Sequence, residues 1–203
     1  MVIRRVHQKG DLMRRILVAL LIAFALGNTG SASALSVDPA VLAAQVDAYW
    51  AGQFAEHGLS YTTPSVFIVE GYVDTPCGLT DMGPFYCLVD GKIYLAVEGN
   101  LSDGGWFVIM AHEWSHYVQD QLGLPYAELQ ADCLAGATIG NAVDMGWAPG
   151  SAYNGALRTA IRGGDDFAFG VPEEELTHGI AGHRSEEFNR GFLKGISACG
   201  TLF

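Results

Sequence analysis

Apolar residues recur every three or four positions in five stretches of the chain, which is the period of an amphipathic helix. In the first stretch, residues 38–57, Trp50 and Phe54 share one face. Asp38 can cap this helix, and Pro39 suits its first turn. Four further helices are predicted on the same grounds, at residues 103–122, 126–145, 152–162 and 181–197.

Two shorter patterns predict strands. Residues 65–71 (SVFIVEG) are rich in β-branched residues and are typical of a buried strand. The segments 84–89 (PFYCLV) and 92–97 (KIYLAV) are separated by Asp90-Gly91, a dipeptide typical of two-residue hairpin turns. No repeat and no low-complexity linker divides the chain. We therefore predict one small, helix-rich α+β domain with a short sheet that includes a β-hairpin.

The first 34 residues have the composition of a targeting segment. Five basic side chains within residues 4–15 precede an apolar run of 12 residues, 16–27, and small residues then lead to Ala34. This order predicts a signal peptide (residues 1–34) that is cleaved after Ala34, leaving residues 35–203 as the mature domain. The apolar run is shorter than the ~20 residues of a transmembrane helix, and a retained membrane anchor is the alternative.

The charge balance narrows the choice of partners. The chain carries 11 Lys and Arg against 22 Asp and Glu, a net charge of −11, and without residues 1–34 the net charge falls to −15. Phosphate groups repel so acidic a chain, which argues against nucleic acid and against anionic membrane surfaces as partners. We expect a secreted or extracytoplasmic protein that contacts a membrane only if residues 1–34 are retained. Its oligomeric state is left open.

Four cysteines in a chain expected to be exported predict two disulfides, in one of three pairings. Cys77 and Cys87 flank a turn-rich segment and form the favoured pair. That choice leaves Cys133 to pair with Cys199. No C-x-x-C motif is present, so a cysteine-bound zinc knuckle is not expected.

The helix predicted at residues 103–122 contains the motif HEWSH. His112 and His116 are four residues apart and project from the same face, where both imidazoles can reach one Zn²⁺ ion. Glu113 is rotated by about 100° from His112, which places it beside the metal as a general base. The alternative is a pair of core histidines on an amphipathic helix, and the five residues alone leave both interpretations open.

Two acids on the next predicted helix favour the metal. Glu128 and Asp132 are again four residues apart, and their neighbours are apolar, so both carboxylates face one side of a mostly buried helix. Burying unpaired charge is costly, and a cation between the helices removes that cost. Glu128 would be the third zinc ligand, and Asp132 would bind the free ring nitrogen of a histidine ligand. The helix dipole is an alternative explanation that accounts for Glu128 well and for Asp132 poorly.

Short motifs along the mature chain match the pattern of one bacterial family, namely CG (77–78), GPFYC (83–87), KIYL (92–95), AHEWSHYVQ (111–119), ELQADCLAG (128–136), GGDD (163–166), THG (177–179) and RGF (190–192). On these motifs the chain resembles the neutral zinc metallopeptidases, a gluzincin-type group. The resemblance implies a zincin-like fold, with the hairpin beside the HExxH helix, and hydrolysis of peptide bonds in a peptide or protein substrate. It also implies His112, His116 and Glu128 as ligands of one zinc ion, with Glu113 as the catalytic base.

The chain departs from the family pattern at three places. Relatives have glycine and histidine where this chain has Ser115 and Tyr117, and two serines where it has Ile180-Ala181. We expect Ser115 to be tolerated unless the helix packs a glycine there. We expect the Ile180 region to lie near the cleft, so that substrate preference differs from that of relatives.

Peptide hydrolysis also needs a donor for the tetrahedral oxyanion and a surface that holds an extended peptide. His178 is the first candidate donor, with a structural role in a turn as its alternative. Tyr86 and Tyr117 are the next candidates. Residues 92–96 form the candidate strand for peptide addition.

Two other functions are consistent with the sequence. One is an inactive, zinc-stabilised extracytoplasmic module that binds peptides or cell-wall polymers. The intact HExxH motif disfavours it, because a binding module has no use for Glu113. The other is a purely structural exported domain held by disulfides, which absence of bound metal would favour.

Overall fold

The computed structural model describes residues 3–7, 38–80, 83–96, 101–164 and 179–203. Within these ranges all five stretches of helical period form helices, which confirms that prediction. They are α1 (Pro39–Glu56), α2 (Asp103–Gln121), α3 (Glu128–Asp144), α4 (Ala152–Arg162) and α5 (Ala181–Lys194).

The helix ends follow from local chemistry. The Oδ1 atom of Asp38 accepts the Ala40 N–H at 2.9 Å and caps α1, as the sequence predicts. The last helix is shorter than predicted, because Gly195 adopts φ 75°, a conformation that favours glycine. A 3₁₀ turn, Ile196–Ala198, follows this break and leads into the C-terminal residues.

Four strands form the main sheet, in the order β1-β2-β6-β5. β2 (Ser65–Glu70) and β6 (Lys92–Ala96) are parallel neighbours, and β5 (Phe85–Cys87) runs antiparallel to β6. β1 (Ile3–His7) pairs in parallel with the other side of β2. The helix-rich α+β prediction is therefore confirmed.

The β5–β6 connection differs from the predicted two-residue turn. Cys87 pairs with Lys92, so the loop between the strands has four residues, 88–91. The Gly91 N–H donates to the Cys87 carbonyl at 2.9 Å, and Gly91 has φ 66°. The Asp90-Gly91 dipeptide thus closes the hairpin, but from the end of a longer loop.

β1 comes from the segment predicted as a signal peptide. Its five residues follow the register Ile3 to Val66 through His7 to Glu70 along β2. The apolar run 16–27 and the predicted cleavage position Ala34 lie outside the described residues. Among the described helices, none is long and apolar enough to cross a membrane.

The core lies between the sheet and α2, which is buried along almost its whole length. Trp50 from α1, Ile93 from β6 and Trp114 from α2 are fully buried there. The Trp114 indole N–H donates to the Tyr61 hydroxyl at 2.8 Å, so this polar atom is satisfied inside the core. Nearly complete burial holds α2 rigidly, and α2 carries the HExxH motif.

Helices α3 and α5 cross with their backbones in contact. A Cβ atom at Gly136 would lie 2.1 Å from the Phe188 carbonyl oxygen, and one at Gly191 would lie 1.7 Å from the Cys133 carbonyl oxygen. Only glycine fits at such distances. This close approach brings the first turn of α5, and with it Arg184, against the start of α3.

The described part of the chain contains two disulfides. Cys77 bonds to Cys87, and Cys133 bonds to Cys199, which are the two predicted pairs. The first joins β5 to the small two-stranded ribbon of β3 (Asp74–Thr75) and β4 (Gly78–Leu79). The second fixes the C-terminal residues to α3.

Candidate metal centre

The two histidines of the HExxH motif project together from α2. Ser102 caps this helix by accepting the Gly105 N–H at 3.1 Å, which sets the phase of the turns that follow. The Nε2 atoms of His112 and His116 lie 3.1 Å apart. Both side chains are buried, with exposed fractions of 7% and 1%.

Glu128 approaches the same point from the first turn of α3. One carboxylate oxygen lies 3.0 Å from His112 Nε2, and the other lies 3.5 Å from His116 Nε2. One ligand atom from each of the three residues lies within 4.8 Å of the others. Gly123, at φ 67°, helps the short connection between α2 and α3 to reverse the chain and bring Glu128 back to the histidines.

These atoms fit a tetrahedral zinc ion. Two ligands at ~2.0–2.1 Å from such an ion lie roughly 3.3 Å apart, close to the observed separations of 3.0, 3.1 and 3.5 Å. Two imidazole nitrogens and one carboxylate are also the donor set of many catalytic zinc sites. The three residues could therefore hold zinc and leave a fourth position open.

His112 is held by a buried charged pair. Its Nδ1 atom lies 3.0 Å from Asp132 Oδ1. Arg184 donates to both oxygens of Asp132 at 2.7 Å and to the Gly163 carbonyl at 2.7 Å, so each charge is paired. Burial raises the pKa of Asp132, but the hydrogen bonds from Arg184 and the contact with His112 outweigh it and hold the pKa below its ordinary value.

His116 is held by neutral partners. Its Nδ1 atom lies 2.9 Å from the side-chain oxygen of Gln119, which is 1% exposed. Its ring stacks on Tyr126, with 3.7 Å between ring centroids and 7° between planes. The two candidate ligands on α2 thus have different supports, one charged and one neutral.

Glu113 lies beside the three candidate ligands and is 8% exposed. Its Oε2 atom accepts the Tyr86 backbone N–H at 2.7 Å, from the free side of β5. Burial raises the pKa of Glu113 above the ordinary value of a carboxyl, although His112, His116 and the Tyr86 amide lower it in part. A carboxylate with a raised pKa is suited to accept and release a proton near neutral pH.

A cleft of about 350 Å³ opens onto this centre. It contains the three candidate ligands and Glu113, together with Asp132, Tyr126 and Arg184. Six apolar residues form much of the remaining lining, here called the apolar wall: Pro84, Phe85, Leu101, Val108, Ile109 and Ala160. A largely apolar cleft with a few converging polar and charged groups is typical of a substrate site.

The structure does not bring every predicted residue to the cleft. The Tyr86 hydroxyl donates to Asp120 at 2.6 Å, and the Tyr117 hydroxyl donates to the Thr62 carbonyl. Neither tyrosine lines the cleft, so both are poor candidates as oxyanion donors. His178 lies outside the described residues.

The predicted peptide-binding strand is also misplaced. Strand β6 lies between β2 and β5, so Lys92 to Tyr94 have a strand on each side. Among the described strands, β5 has the free edge next to the cleft, and its neighbours Pro84 and Phe85 line that cleft. The prediction of residues 92–96 as the peptide edge is therefore wrong for Lys92 to Tyr94, and the free edge of β5 is the alternative.

Sequence reasoning missed three residues of the site: Gln119, Tyr126 and Arg184. Gln119 follows His116 by three positions, so helical spacing could have suggested their contact. Tyr126 opens the ELQAD segment and could have been considered on that ground. Arg184 is 52 residues from Asp132, and no local pattern indicates that contact.

The departures from the family pattern fit the structure. Ser115 is fully buried, and its hydroxyl donates to the Ala111 carbonyl at 2.7 Å, so the serine is accommodated in α2. Ala181 packs against Gly164, where a Cβ would lie 2.6 Å from the Ala181 nitrogen. Gly163, the residue before Gly164, lines the cleft. The Ile180–Ala181 segment therefore lies near the cleft.

Comparison with known proteins agrees with the geometry. Residues 27–127 match the family described as "Putative neutral zinc metallopeptidase". Protein YpfJ of Escherichia coli K12 is 30% identical over an alignment that covers 80% of this chain and 69% of YpfJ. The chain belongs to this zinc metallopeptidase family.

Two mycobacterial proteins match the chain over a smaller share of both sequences. Rv2575 of Mycobacterium tuberculosis H37Rv and Mb2605 of Mycobacterium bovis are each 31% identical, over alignments that cover 74% of this chain and 64% of theirs. All three relatives are named as uncharacterized proteins. No solved structure matches the chain significantly.

Proposed function

We propose that this protein is an exported zinc-dependent peptidase that hydrolyses peptide bonds with Glu113 as general base. The observation that carries the proposal is the meeting of His112, His116 and Glu128 beside a buried Glu113, inside a cleft. Zinc held by the three ligands would supply an activated water and a Lewis acid for the substrate carbonyl.

The residues around the centre have separate tasks in this mechanism. The Tyr86 N–H holds one oxygen of Glu113, and the other makes no hydrogen bond within the described ranges. That second oxygen takes the proton of the attacking water and delivers it to the leaving amine. Asp132 and Gln119 keep the two histidine rings oriented.

Tyr126 replaces Tyr86 and Tyr117 as our candidate donor to the developing oxyanion. It lines the cleft, and its hydroxyl makes no hydrogen bond to a described residue. Burial raises its pKa, and the charges of Glu113 and Glu128 raise it further, so the phenol keeps its proton at neutral pH. His178 stays a second candidate from the sequence.

The substrate is proposed to lie along the free edge of β5. An extended peptide can add to such an edge through main-chain hydrogen bonds, with side chains placed alternately. The apolar wall at Leu101, Val108 and Ile109 then favours an apolar substrate side chain next to the scissile bond. Residues 84–87 would hold the peptide at the height of Glu113.

The decisive experiment compares wild type with Glu113→Gln. Both are expected to bind one zinc ion per chain, measured by metal analysis, because Glu113 is not a ligand. Cleavage of a peptide library should fall by about 10²–10⁴-fold in the variant, the usual size of a general-base contribution. Glu186→Gln, at an exposed position of α5, is the matched control and should cleave as wild type does.

Two results would contradict the proposal in different ways. A wild-type protein without metal would exclude zinc catalysis and favour a structural domain held by disulfides. A wild-type protein with one zinc ion that cleaves no member of a diverse library would favour the inactive peptide- or cell-wall-binding module.

A further inference from the structure

A hydrogen-bond network links His116 to Cys199, near the C-terminus, through the side chains of Gln119 and Gln130. Gln119 accepts from His116 Nδ1 at 2.9 Å and donates to Gln130 Oε1 at 2.9 Å. Gln130 in turn donates to the Cys199 carbonyl at 3.1 Å. Gln119 and His116 are each 1% exposed, so water does not compete for the bond between them.

Two backbone carbonyls fix the direction of every hydrogen bond in this network. A carbonyl oxygen can only accept, so the Cys199 oxygen requires the amide nitrogen of Gln130 to face it. The Gln130 oxygen then faces Gln119 and requires the Gln119 nitrogen there. The same nitrogen also donates to the Ala127 carbonyl at 2.9 Å, which fixes its orientation a second time.

Once both Gln119 protons are used, only its oxygen is left for His116. That oxygen accepts from the Ala127 N–H at 3.4 Å and from His116 Nδ1. An oxygen acceptor requires the proton of the ring to lie on Nδ1. The Nε2 atom of His116 is then left with its lone pair, aimed at His112 Nε2 and Glu128.

We propose that Gln119 and Gln130 are positioning residues that set the metal-binding tautomer of His116, with the Cys199 and Ala127 carbonyls as their fixed ends. This inference rests on the proposed zinc site. Gln119 has a second role in it, because its bonds to Ala127 also hold the residue just before Glu128. One buried amide thus positions ligands from both helices.

The Cys133–Cys199 disulfide holds the Cys199 end of this hydrogen-bond network rigid. The bond fixes Cys199 to α3, the helix that also carries Gln130. The carbonyl of Cys199 is therefore held at a constant place relative to Gln130. The disulfide thus supports the tautomer of His116 indirectly, through Gln130 and Gln119.

The test uses the full chain with Gln119→Leu, Gln119→Glu and Gln130→Leu. The zinc dissociation constant is measured by competition with a chelator, and the His116 tautomer is read from long-range ¹H–¹⁵N NMR of the zinc-free protein. Gln121→Leu is the matched control on the same helix, because the Gln121 oxygen has no hydrogen-bond partner among the described residues. The control should bind zinc as wild type does.

Wild type should show His116 with its proton on Nδ1 only. Gln119→Leu should show mixed tautomers and bind zinc about 10–100-fold more weakly, the usual effect of losing such a partner. Gln119→Glu keeps an acceptor for Nδ1 but loses the donor to Ala127 and Gln130, so it should keep the single tautomer while zinc affinity falls. Gln130→Leu, at a partly exposed position, should shift both readouts in the same direction by less, and it keeps the test valid if Gln119→Leu does not fold.

Three outcomes would overturn the inference. Gln119→Leu could retain wild-type affinity and tautomer, or Leu and Glu at this position could have equal effects on the tautomer, which would indicate a packing role. Wild type could also carry the zinc-free His116 proton on Nε2. A wild-type protein that binds no zinc would remove the proposed function instead, and the tautomer measurement on the zinc-free chain would still decide the role of Gln119.

Discussion

His112 and His116 belong to one motif and both contact Glu128, but the partners of their Nδ1 atoms differ in charge. His112 contacts two carboxylates, Asp132 and Glu128, whereas His116 Nδ1 contacts the neutral amide of Gln119. Burial lowers the pKa of His112, but hydrogen bonding to Asp132 and Glu128 outweighs burial and raises it to about 10 in the metal-free protein. His112 therefore carries a proton at neutral pH before metal binds.

Zinc binding is consequently expected to release about one proton at pH 7, because the metal needs the deprotonated ring of His112. Below pH 10 the proton competes with the metal, so zinc affinity should rise by about tenfold per pH unit between pH 6 and 8. Titration calorimetry in buffers of different ionisation enthalpy measures the released proton. A value near zero, or an affinity independent of pH, would contradict the raised pKa.

Replacing Tyr126 by phenylalanine tests the proposed oxyanion donor. The ring that stacks on His116 is kept, so zinc affinity should not change. The rate constant kcat should fall by about 10²–10³-fold, the usual effect of losing one oxyanion donor. Tyr117→Phe is the control, because that hydroxyl bonds to Thr62 and does not line the cleft. Equal kcat values for the two variants would exclude Tyr126 from this role.

At the residue scale, what the sequence predicts depends on spacing. His112 and His116, then Glu128 and Asp132, are each one helical turn apart, and that period is enough to place each pair on one face. Helical spacing does not predict the direction in which a tyrosine hydroxyl points. Tyr86 and Tyr117 point to Asp120 and to the Thr62 carbonyl, contacts that depend on tertiary packing and leave no pattern in the sequence.

At the scale of elements, the helices and the β5–β6 hairpin were predictable, and the pairing of β2 with β6 was not. Each helix has apolar positions of its own that reveal its period, and α1 has its cap in the neighbouring residue Asp38. The parallel pairing of β2 with β6 joins segments that are 27 residues apart in register, Ser65 with Lys92. That pairing placed β6 inside the sheet and made β5 the edge, which no local signal near residues 92–96 indicates.

The crossing of α3 and α5 depends on a glycine at Gly191. Alanine there would place a Cβ 1.7 Å from the Cys133 carbonyl, so the helices must separate. We expect a loss of about 1–3 kcal/mol or more in the free energy of unfolding, measured by urea denaturation. Separation would also move Arg184 away from Asp132 and weaken zinc binding. Gly182→Ala, on the same helix with open space around it, is the control and should be neutral or stabilising by up to about 1 kcal/mol.

An unchanged unfolding midpoint for Gly191→Ala would show that α5 can shift without cost, and the glycine contact would then not set the position of Arg184. A loss of stability with normal zinc affinity would separate the two roles. It would indicate that the Arg184–Asp132 pair survives a looser crossing of the helices.

In the whole molecule, the N-terminal strand β1 and the strand next to the candidate site, β5, lie at opposite edges of the sheet. In the order β1-β2-β6-β5, two strands separate β1 from the strand that touches Glu113. Among the described strands β1 pairs only with β2, and neither disulfide involves residues 1–34. Strand β1 is therefore not required by the geometry of the metal centre.

A chain of residues 35–203 should accordingly keep both disulfides and bind zinc with the affinity of the full chain. When the full chain is expressed in a bacterium with its own N-terminus, mass spectrometry of the extracytoplasmic fraction should find Leu35 as the first residue. Ala34→Leu places a large side chain where signal cleavage needs a small one, and it should leave residues 1–34 attached. If 35–203 lost zinc binding, or if the exported protein kept Ile3–His7, then β1 would be a permanent strand of the sheet and the prediction of cleavage would be wrong.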